Sequence, residues 1–282
     1  MKVGKYQIDT VDTGTLGLDG GAMFGVIPKV LWQRTNPADE KNRITLGMRC
    51  LLLQSDSKKI LVDTGVGDHW DNKISKIYRM DKSESELTRS LNKLGIKHEE
   101  ITDVILTHMH FDHTGGATKF ENDKMVPAFP NATYYIQKDH FNWAKNPSDR
   151  DKASFFPERF VPLAEEGVLK LIDGNEHFDD YIQFIVTNGH TFGHQMIKIS
   201  DSSNTLLYCG DLMPTASHVP LPYIMGYDLQ PLVTLDEKKK YLSEAVEENW
   251  KIIFEHDPYA TTATIVKTEK GFVVNERYKD LV

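Results

Sequence analysis

The chain has 282 residues, of which 40% are hydrophobic and 26% are charged, and its formal net charge at pH 7 is -8. A chain of this length and apolar content can bury a core without the support of disulfides or a structural metal. Its two cysteines exclude a disulfide framework and a four-thiolate zinc site, and they favour a cytoplasmic location. The acidic balance argues against nucleic acid as a partner, and without a long apolar run we expect no membrane attachment.

The N-terminal part of the chain is rich in glycine, at Gly14, Gly17, Gly20, Gly21 and Gly25. Short apolar runs lie between them, a pattern that predicts antiparallel strands with turns and then an irregular loop. We interpret residues of about 14–35 as a loop extension. No repeat or linker divides the sequence, so we predict a single domain over residues 1–282.

Further along, five aliphatic runs have the length and composition of strands, and each leads into a polar residue or a glycine turn. They cover residues 60–63, 104–107, 182–186, 206–209 and 252–254. Two capping boxes predict helices between them. Ser83 and Glu86 begin the first helix, which ends at Gly95. Thr234 and Glu237 begin the second. Strands that alternate with amphipathic helices indicate the α/β fold class.

Residues of about 120–178 form a helical insert that is rich in aromatic side chains. One interpretation is a helical subdomain with a small core of its own, and the other is the wall of a substrate pocket. Both stay open, because one element can serve both purposes. The aromatic residues are Phe129, Tyr134, Tyr135, Phe141, Trp143, Phe155, Phe156 and Phe160.

The most informative segment follows the second predicted strand, where His108, His110, Asp112 and His113 lie within six residues. Alternation along an extended backbone directs His108 and His110 to one side, and the following turn brings Asp112 and His113 to a second point. This arrangement suits two metal ions better than one, and the alternative is a loop with surface histidines. Imidazole and carboxylate are ligands that zinc prefers, although manganese, iron and cobalt accept them. Later strand ends supply further candidate ligands: His190, Asp211 and His256.

Five segments, in this order along the chain, resemble the metallo-β-lactamase superfamily. They are the Asp-Thr-Gly at 63–65, the HxHxDH block at 108–113, the loop at 189–194, the Gly-Asp at 210–211 and the Glu-His-Asp at 255–257. The resemblance covers nearly the whole chain. It implies a four-layer αββα sandwich.

The resemblance also implies a ligand set for two divalent metal ions, with zinc as the expected metal. One ion would be held by His108, His110 and His190, the other by Asp112, His113 and His256, and Asp211 would bridge them. Asp63 would orient the ligand loop without touching metal. A hydroxide held between the ions would attack the substrate, and Asp112 would act as the catalytic proton acceptor.

Two features separate this chain from other groups of the superfamily. His110 stands where diiron flavoproteins carry Glu, and Asp211 stands where thiolate-ligated lactamases carry Cys. The nearby Cys209 is expected to be a buried core thiol. The chain most resembles the N-acyl homoserine lactone lactonases and related organophosphate hydrolases, which implies a lactonase active in quorum quenching, with a small lactone or ester substrate, and a homodimer. The alternatives are a phosphotriesterase or aryl-ester hydrolase at the same site and a metal-binding sensor without turnover.

The substrate contacts are less well defined by the resemblance. Pro214 occupies the place of a lactonase Tyr that supports the substrate carbonyl, so His218, Tyr223 and Tyr227 are candidates for that task. The apolar tip at Met23 and Phe24 either reaches the substrate or is packed into the protein as a hydrophobic staple. The loop at 189–194 has Phe192 where relatives have Pro, and its His194 is expected to be structural.

Overall fold

A computed structural model describes residues 1–80 and 86–282 of the chain. Two compact units are present. The first unit comprises Met1–Gly14 and Met48–Gly174, and the second unit comprises Thr15–Gly47 and Asn175–Val282. Within the described residues no helix is both long and apolar enough to cross a membrane. The single domain over residues 1–282, with its extension at about 14–35 and its insert at about 120–178, stays a prediction.

A mixed sheet of seven strands runs through the first unit, as far as the described residues go. In chain order, strands β1 to β9 are Lys2–Val3, Tyr6–Asp19, Arg43–Gln54, Lys59–Val62, Asp103–Ile105, Thr118–Glu121, Lys124–Pro127, Thr133–Gln137 and Leu169–Ile172. Their order in the sheet is β1-β2-β3-β4-β5-β8-β9, while β6 and β7 form a separate hairpin. The end of β2 and the start of β3 belong to the second unit.

The parallel part of this sheet places the first candidate ligands at one edge. Strands β4, β5, β8 and β9 are parallel neighbours. Since the carboxyl ends of parallel strands share an edge, Asp63 after β4 and His108 after β5 emerge on the same side. The two strands predicted at residues 60–63 and 104–107 are thereby confirmed.

The second unit contains a six-stranded mixed sheet, again within the described residues. Strands β10 to β15 are Ile182–Thr187, His194–Ser200, Thr205–Tyr208, Lys251–Ile253, Thr262–Thr268 and Gly271–Tyr278, in that order across the sheet. Strands β10 and β12 are both antiparallel to β11, and β12 is parallel to β13. The segments that leave β10, β12 and β13 therefore start at one edge, and they carry His190, Asp211 and His256.

Helices connect these strands, as expected for the α/β class, which is confirmed. In chain order, α1 to α8 are Gly20–Phe24, Lys29–Trp32, Asn72–Tyr78, Glu86–Lys93, Phe111–Thr114, Lys138–Lys145, Val161–Glu165 and Pro231–Glu247. Helices α3 to α7 belong to the first unit, and α1, α2 and α8 belong to the second.

The aromatic residues of the predicted insert share the core of the first unit. Phe129, Tyr134 and Phe160 are fully buried in the same hydrophobic cluster as Leu61 of β4 and Val104 of β5. The insert therefore has no separate core among the described residues, because its strands β8 and β9 extend the main sheet. Its physical role in the first unit is to complete the packing around the parallel strands.

Some local predictions differ from the structure. Gly14 and Gly17 do not form turns but lie within the 14-residue strand β2, and the expected irregular loop contains the short helices α1 and α2. Helix α4 has the predicted course through Leu87, while Ser83, the other half of its predicted capping box, lies outside the described residues.

The second predicted capping box is wrong. Helix α8 begins at Pro231, three residues before the predicted start at Thr234. Proline suits the first helical position because its missing N–H would have no partner there. The Thr234 hydroxyl bonds back to the carbonyl of Gln230 at 3.4 Å, and Glu237 serves a loop outside the helix.

Candidate metal centre

The segment that follows β5 in the first unit carries a cluster of imidazoles and carboxylates. His108 and His110 lie on the loop after β5, and Asp112 and His113 lie on the single-turn helix α5; all four are buried. His108 Nε2 and His110 Nδ1 are 3.0 Å apart. His113 Nε2 lies 3.8 Å from Asp112 Oδ1. The first unit thus presents two pairs of donors, as the alternation and the turn predict.

Asp63 orients this cluster from the end of β4. Its carboxylate accepts hydrogen bonds from the backbone N–H and the hydroxyl of Thr107, both at 2.7 Å. Asp63 Oδ2 also lies 3.1 Å from His113 Nδ1. Because the Thr107 hydroxyl already donates to Asp63, it can only accept from His108 Nδ1, 3.0 Å away. These bonds assign the protons to Nδ1 of His108 and His113 and turn their Nε2 lone pairs inward.

His140, which belongs to none of the sequence motifs, holds the loop between two of the candidate ligands. It lies on α6, is fully buried, and its Nε2 accepts the backbone N–H of Met109 at 2.7 Å. Accepting a hydrogen bond requires the lone pair of a neutral imidazole. Nothing in the local pattern distinguishes His140 from a surface histidine, because its partner lies 31 residues away.

Replacing His140 with Leu is expected to weaken metal binding by about 10- to 100-fold, the range typical of groups that orient metal ligands. Without its acceptor, the buried Met109 N–H loses the bond that fixes the positions of His108 and His110. Competition with a chromogenic chelator measures the affinity. The exposed His177→Leu serves as the control. Equal metal affinity in the two variants would show that the loop keeps its shape without His140.

The second unit brings three candidate ligands together. The carboxylate of Asp211 lies between two imidazoles, with Oδ2 at 3.3 Å from His190 Nε2 and Oδ1 at 3.2 Å from His256 Nε2. The opposite ring nitrogens are bonded elsewhere: Nδ1 of His190 to Asp228 Oδ1 at 2.8 Å, and Nδ1 of His256 to the carbonyl of Gly47 at 2.9 Å. Asp228 and Gly47 are partners that no sequence motif indicated.

This pattern of partners fits bound cations. Asp228 and the Gly47 carbonyl are acceptors, so His190 and His256 donate through Nδ1 and direct their Nε2 lone pairs at Asp211. Lone pairs that face a carboxylate oxygen repel it unless a positive charge lies between them. Histidines that donate one ring N–H to a carboxylate or carbonyl and direct the other nitrogen inward are typical of divalent metal sites. The donor chemistry of both units therefore fits zinc or a similar ion.

Two further side chains of the second unit hold the ligand loops. His194 begins β11, and its Nε2 accepts the backbone N–H of Asp211 at 3.1 Å while its Nδ1 lies 2.7 Å from the Thr187 hydroxyl. It is structural within this unit. Glu237 of α8 accepts the backbone N–H groups of Asn188 and Gly189 at 2.7 and 3.1 Å.

Helix α8 and the loop of His190 approach so closely that a glycine is needed. A Cβ on Gly189 would collide with the backbone and hydroxyl of Thr234. Gln230 adds a bond from its side chain to the carbonyl of Asn188 at 3.0 Å. The closely packed helix thus fixes the course of the loop that carries Phe192.

The residues proposed from sequence as substrate contacts form a cluster inside the second unit. Met23, Phe24 and His218 are buried. The Phe24 ring stacks on His218, with centroids 4.7 Å apart, and meets the edge of Tyr223 at 6.1 Å. His218 Nδ1 lies 2.8 Å from the Thr215 hydroxyl, and its Nε2 donates to the carbonyl of Met23 at 2.8 Å.

This placement agrees with the alternative of an apolar tip packed into the protein. Both ring nitrogens of His218 have partners within the second unit, so it is a poor candidate for supporting a substrate carbonyl. Burial lowers the pKa of His218 to about 4, which keeps the imidazole neutral.

Tyr223 and Tyr227 are half-buried. Substrate contact by Met23, Phe24, His218 and Tyr223 stays a prediction. Cys209 is buried, as predicted.

A group of aromatic rings surrounds the residue between His110 and Asp112 in the first unit. Phe111 lies 5.8 Å from Trp70, 4.8 Å from Tyr78 and 5.9 Å from Phe156, measured between centroids. The rings of Trp70, Tyr78 and Phe156 are half-buried and so present apolar surface beside the ligand loop. Burial raises the pKa of Tyr78, and the charge of Asp112 raises it further.

Comparisons with known proteins agree with this geometry. Residues 48–256 match the family described as the metallo-beta-lactamase superfamily. An N-acyl homoserine lactonase of Bacillus cereus is 25% identical over 249 residues, which cover 84% of this chain and 88% of that protein.

Solved structures give the same fold. A probable metal-dependent hydrolase from Staphylococcus aureus has a TM-score of 0.87 and 26% identity, covering 99% of this chain and 100% of its own. The protein AidC, described as a dizinc quorum-quenching lactonase, has a TM-score of 0.81 at 22% identity, with 99% and 96% covered. The metallo-β-lactamase fold, consistent with the αββα sandwich, follows from these matches.

Proposed function

Because the chain belongs to the metallo-β-lactamase superfamily, we propose that it is a metal-dependent hydrolase that opens the lactone ring of N-acyl homoserine lactones. The observation that carries the hydrolase chemistry is the convergence of two imidazole Nε2 atoms on the carboxylate of Asp211. The lactone substrate is supported by the relatives, which are named as N-acyl homoserine lactonases at about 25% identity over most of both chains.

We propose that the candidate ligands hold two divalent metal ions, with zinc as the expected metal. The dizinc description of AidC supports this number and identity. The bridging carboxylate would be Asp211, since each of its oxygens faces a different histidine. One ion would be held by His108, His110 and His190, and the other by Asp112, His113 and His256.

When bound, such a pair of ions supplies an activated water at neutral pH and polarises the carbonyl of the substrate. The chain's own residues orient the imidazoles, and one of them accepts a proton. Asp63, Asp228 and the Gly47 carbonyl keep the imidazoles in one tautomer. Asp112 is the proposed proton acceptor, because its buried carboxylate lies beside the candidate ligands, with Oδ1 3.8 Å from His113 Nε2.

The acyl chain of the substrate is proposed to contact the half-buried rings around Phe111. Trp70 and Phe156 offer apolar surface next to His110, as an acyl tail requires. Pro214 has no hydroxyl, so support of the carbonyl would come from the metals or from Tyr223 or Tyr227.

The homodimer and the cytoplasmic location also stay proposals. Val26 and Val30 of the extension are 91% and 61% exposed, which is apolar surface that a second copy would cover.

The proposal is tested with the zinc-loaded protein and a panel of substrates: homoserine lactones with short and long acyl chains, simple lactones, aryl esters and a phosphotriester. We expect about two metal equivalents per chain, the fastest proton release with the acylated lactones, and loss of activity on chelation that zinc restores.

Two results would contradict this expectation. Absence of proton release from every substrate would contradict a hydrolase and favour a metal-binding sensor. Faster hydrolysis of the phosphotriester or the aryl esters would assign the site to that alternative class.

A further inference from the structure

Helix α8 of the second unit carries a lysine that is fully buried. Lys238 has 0% of its surface exposed. Its Nζ donates to three backbone carbonyls, those of Pro220 at 2.9 Å, Leu221 at 3.4 Å and Tyr223 at 2.8 Å. An ammonium has three N–H donors, so the whole hydrogen-bonding capacity of Lys238 is directed at one loop.

Removing this ammonium from water costs free energy unless hydrogen bonds or a charged partner compensate. Burial lowers the pKa of Lys238 to about 7, and the negative charge of Asp228 partly opposes that effect. Buried lysines are rare unless they are paired or hydrogen-bonded. The Pro220 carbonyl also accepts the backbone N–H of Tyr223 at 3.0 Å, whereas the carbonyls of Leu221 and Tyr223 depend on the Lys238 side chain for a donor, so Lys238 contributes to the course of the loop.

The loop held by Lys238 is part of a longer segment that lies between two residues of the candidate metal centre. This segment begins after Asp211, the proposed bridging carboxylate, and it reaches Asp228, which accepts the hydrogen bond from His190 Nδ1. Both ends of this segment therefore adjoin proposed metal ligands of the second unit or their partners. Its middle part, the loop of residues 220–226, is held by Lys238.

The same loop is attached to the N-terminal extension. The backbone N–H of Gly226 donates to the carbonyl of Ala22 at 2.7 Å. The Tyr223 ring meets the Phe24 ring edge-on, and Phe24 stacks on His218. A Cβ on Gly25 would meet the carbonyl of Ile224 at 2.6 Å, so the two segments are in direct contact.

We infer that Lys238 is a positioning residue that fixes the loop of residues 220–226, which carries Tyr223, and through it the segment 22–25, and so controls substrate binding rather than metal binding. The inference rests on the proposed hydrolase function. Among the described residues, the Lys238 ammonium bonds to backbone carbonyls of the loop and to none of the proposed ligands. It acts through the loop, whose displacement changes the binding of the substrate more than the chemical step.

The test replaces Lys238 with Met, which has a similar length but no donors, in the zinc-loaded full chain. The matched control is Lys239→Met, on the same helix, where the Lys239 side chain is 52% exposed and its Nζ lies 3.4 Å from Asp236 Oδ1. We expect KM for the preferred acylated lactone to rise about tenfold in Lys238→Met, with kcat changed less than about threefold and metal content unchanged.

A second readout is independent of activity. Amide hydrogen exchange of residues 220–226 and 22–25 should become at least about tenfold faster in Lys238→Met than in Lys239→Met. If the methionine variant does not fold, Lys238→Gln, which keeps a shorter neutral donor, takes its place. KM, metal content and exchange rates are then compared with Lys239→Met in the same way.

Three outcomes would overturn the inference. One is exchange rates in both segments equal to those of the control, and another is an unchanged KM. The third is a loss of bound metal, which would show that Lys238 supports the metal ligands instead. If the unmodified protein hydrolyses no substrate of the panel, the proposed function fails by itself, and the exchange rates still decide whether Lys238 holds the loop.

Discussion

Replacement of Asp211 by Ala is expected to lower hydrolysis on the order of 1,000-fold and to reduce the amount of bound metal. The carboxylate faces His190 and His256 through separate oxygens, so its removal leaves two inward-facing imidazoles without their common partner. The substitution is specific, because Ala keeps the backbone N–H that donates to His194. The surrounding turn should therefore survive the change.

The measurement combines kcat/KM for an acylated lactone with elemental analysis of bound zinc. Asp236→Ala is the matched control, since this carboxylate lies on α8 and is 78% exposed. His110→Ala should resemble Asp211→Ala in losing metal and activity together. Full metal content and activity in both Asp211→Ala and His110→Ala would contradict the proposed ligand set.

His218 is expected to make the second unit sensitive to acid, at a cost of about 3 kcal/mol between pH 6.5 and pH 4. Burial lowers its pKa from 6.5 to about 4, and each pKa unit corresponds to about 1.4 kcal/mol. Above pH 6.5 the imidazole is neutral in the folded and the unfolded chain. Between pH 6.5 and 4 the unfolded chain binds a proton that the folded one does not, so stability falls as pH falls.

Chemical unfolding of wild type and His218→Phe at several pH values measures this effect. Phenylalanine keeps a ring beside Phe24 but loses the bonds to Thr215 and Met23, so it changes stability by a constant amount as well. The informative quantity is the difference in unfolding free energy between the two proteins. We expect it to shrink by about 3 kcal/mol on acidification.

Several groups titrate in this range, but the comparison with His218→Phe cancels those that both proteins share. The exposed His177→Phe should unfold in parallel with wild type at every pH. A difference between wild type and His218→Phe that stays constant from pH 7 to pH 4 would show that His218 is not held neutral by its surroundings.

Much of the candidate site could be predicted from sequence because its parts are local. The strands before Asp63, His108 and His190 follow from aliphatic runs that end in turns, and each is found in the structure. The spacing of the HxHxDH block and the order of the five family segments indicate the fold. Both are properties of neighbouring residues or of their order along the chain.

Other features could not be predicted, because their partners are distant in sequence. His140 and Met109 are 31 residues apart, and His256 and the Gly47 carbonyl are 209 apart. The capping pattern at Thr234 was misleading for the same reason: Glu237 bonds to the loop of Gly189 instead of its own helix.

The sequence by itself determined the α/β class, the family and the candidate ligands, since periodicity, turns and motif spacing are encoded in adjacent residues. Only the tertiary structure decided which nitrogen of each histidine faces inward, that Phe24 and His218 are packed together, and that Lys238 is buried under a loop. Those outcomes depend on which donors, acceptors and apolar surfaces the folded chain brings within a few ångströms of one another. A hydrogen bond changes the free energy of the fold, and burial shifts a pKa, only when folding has brought these groups together.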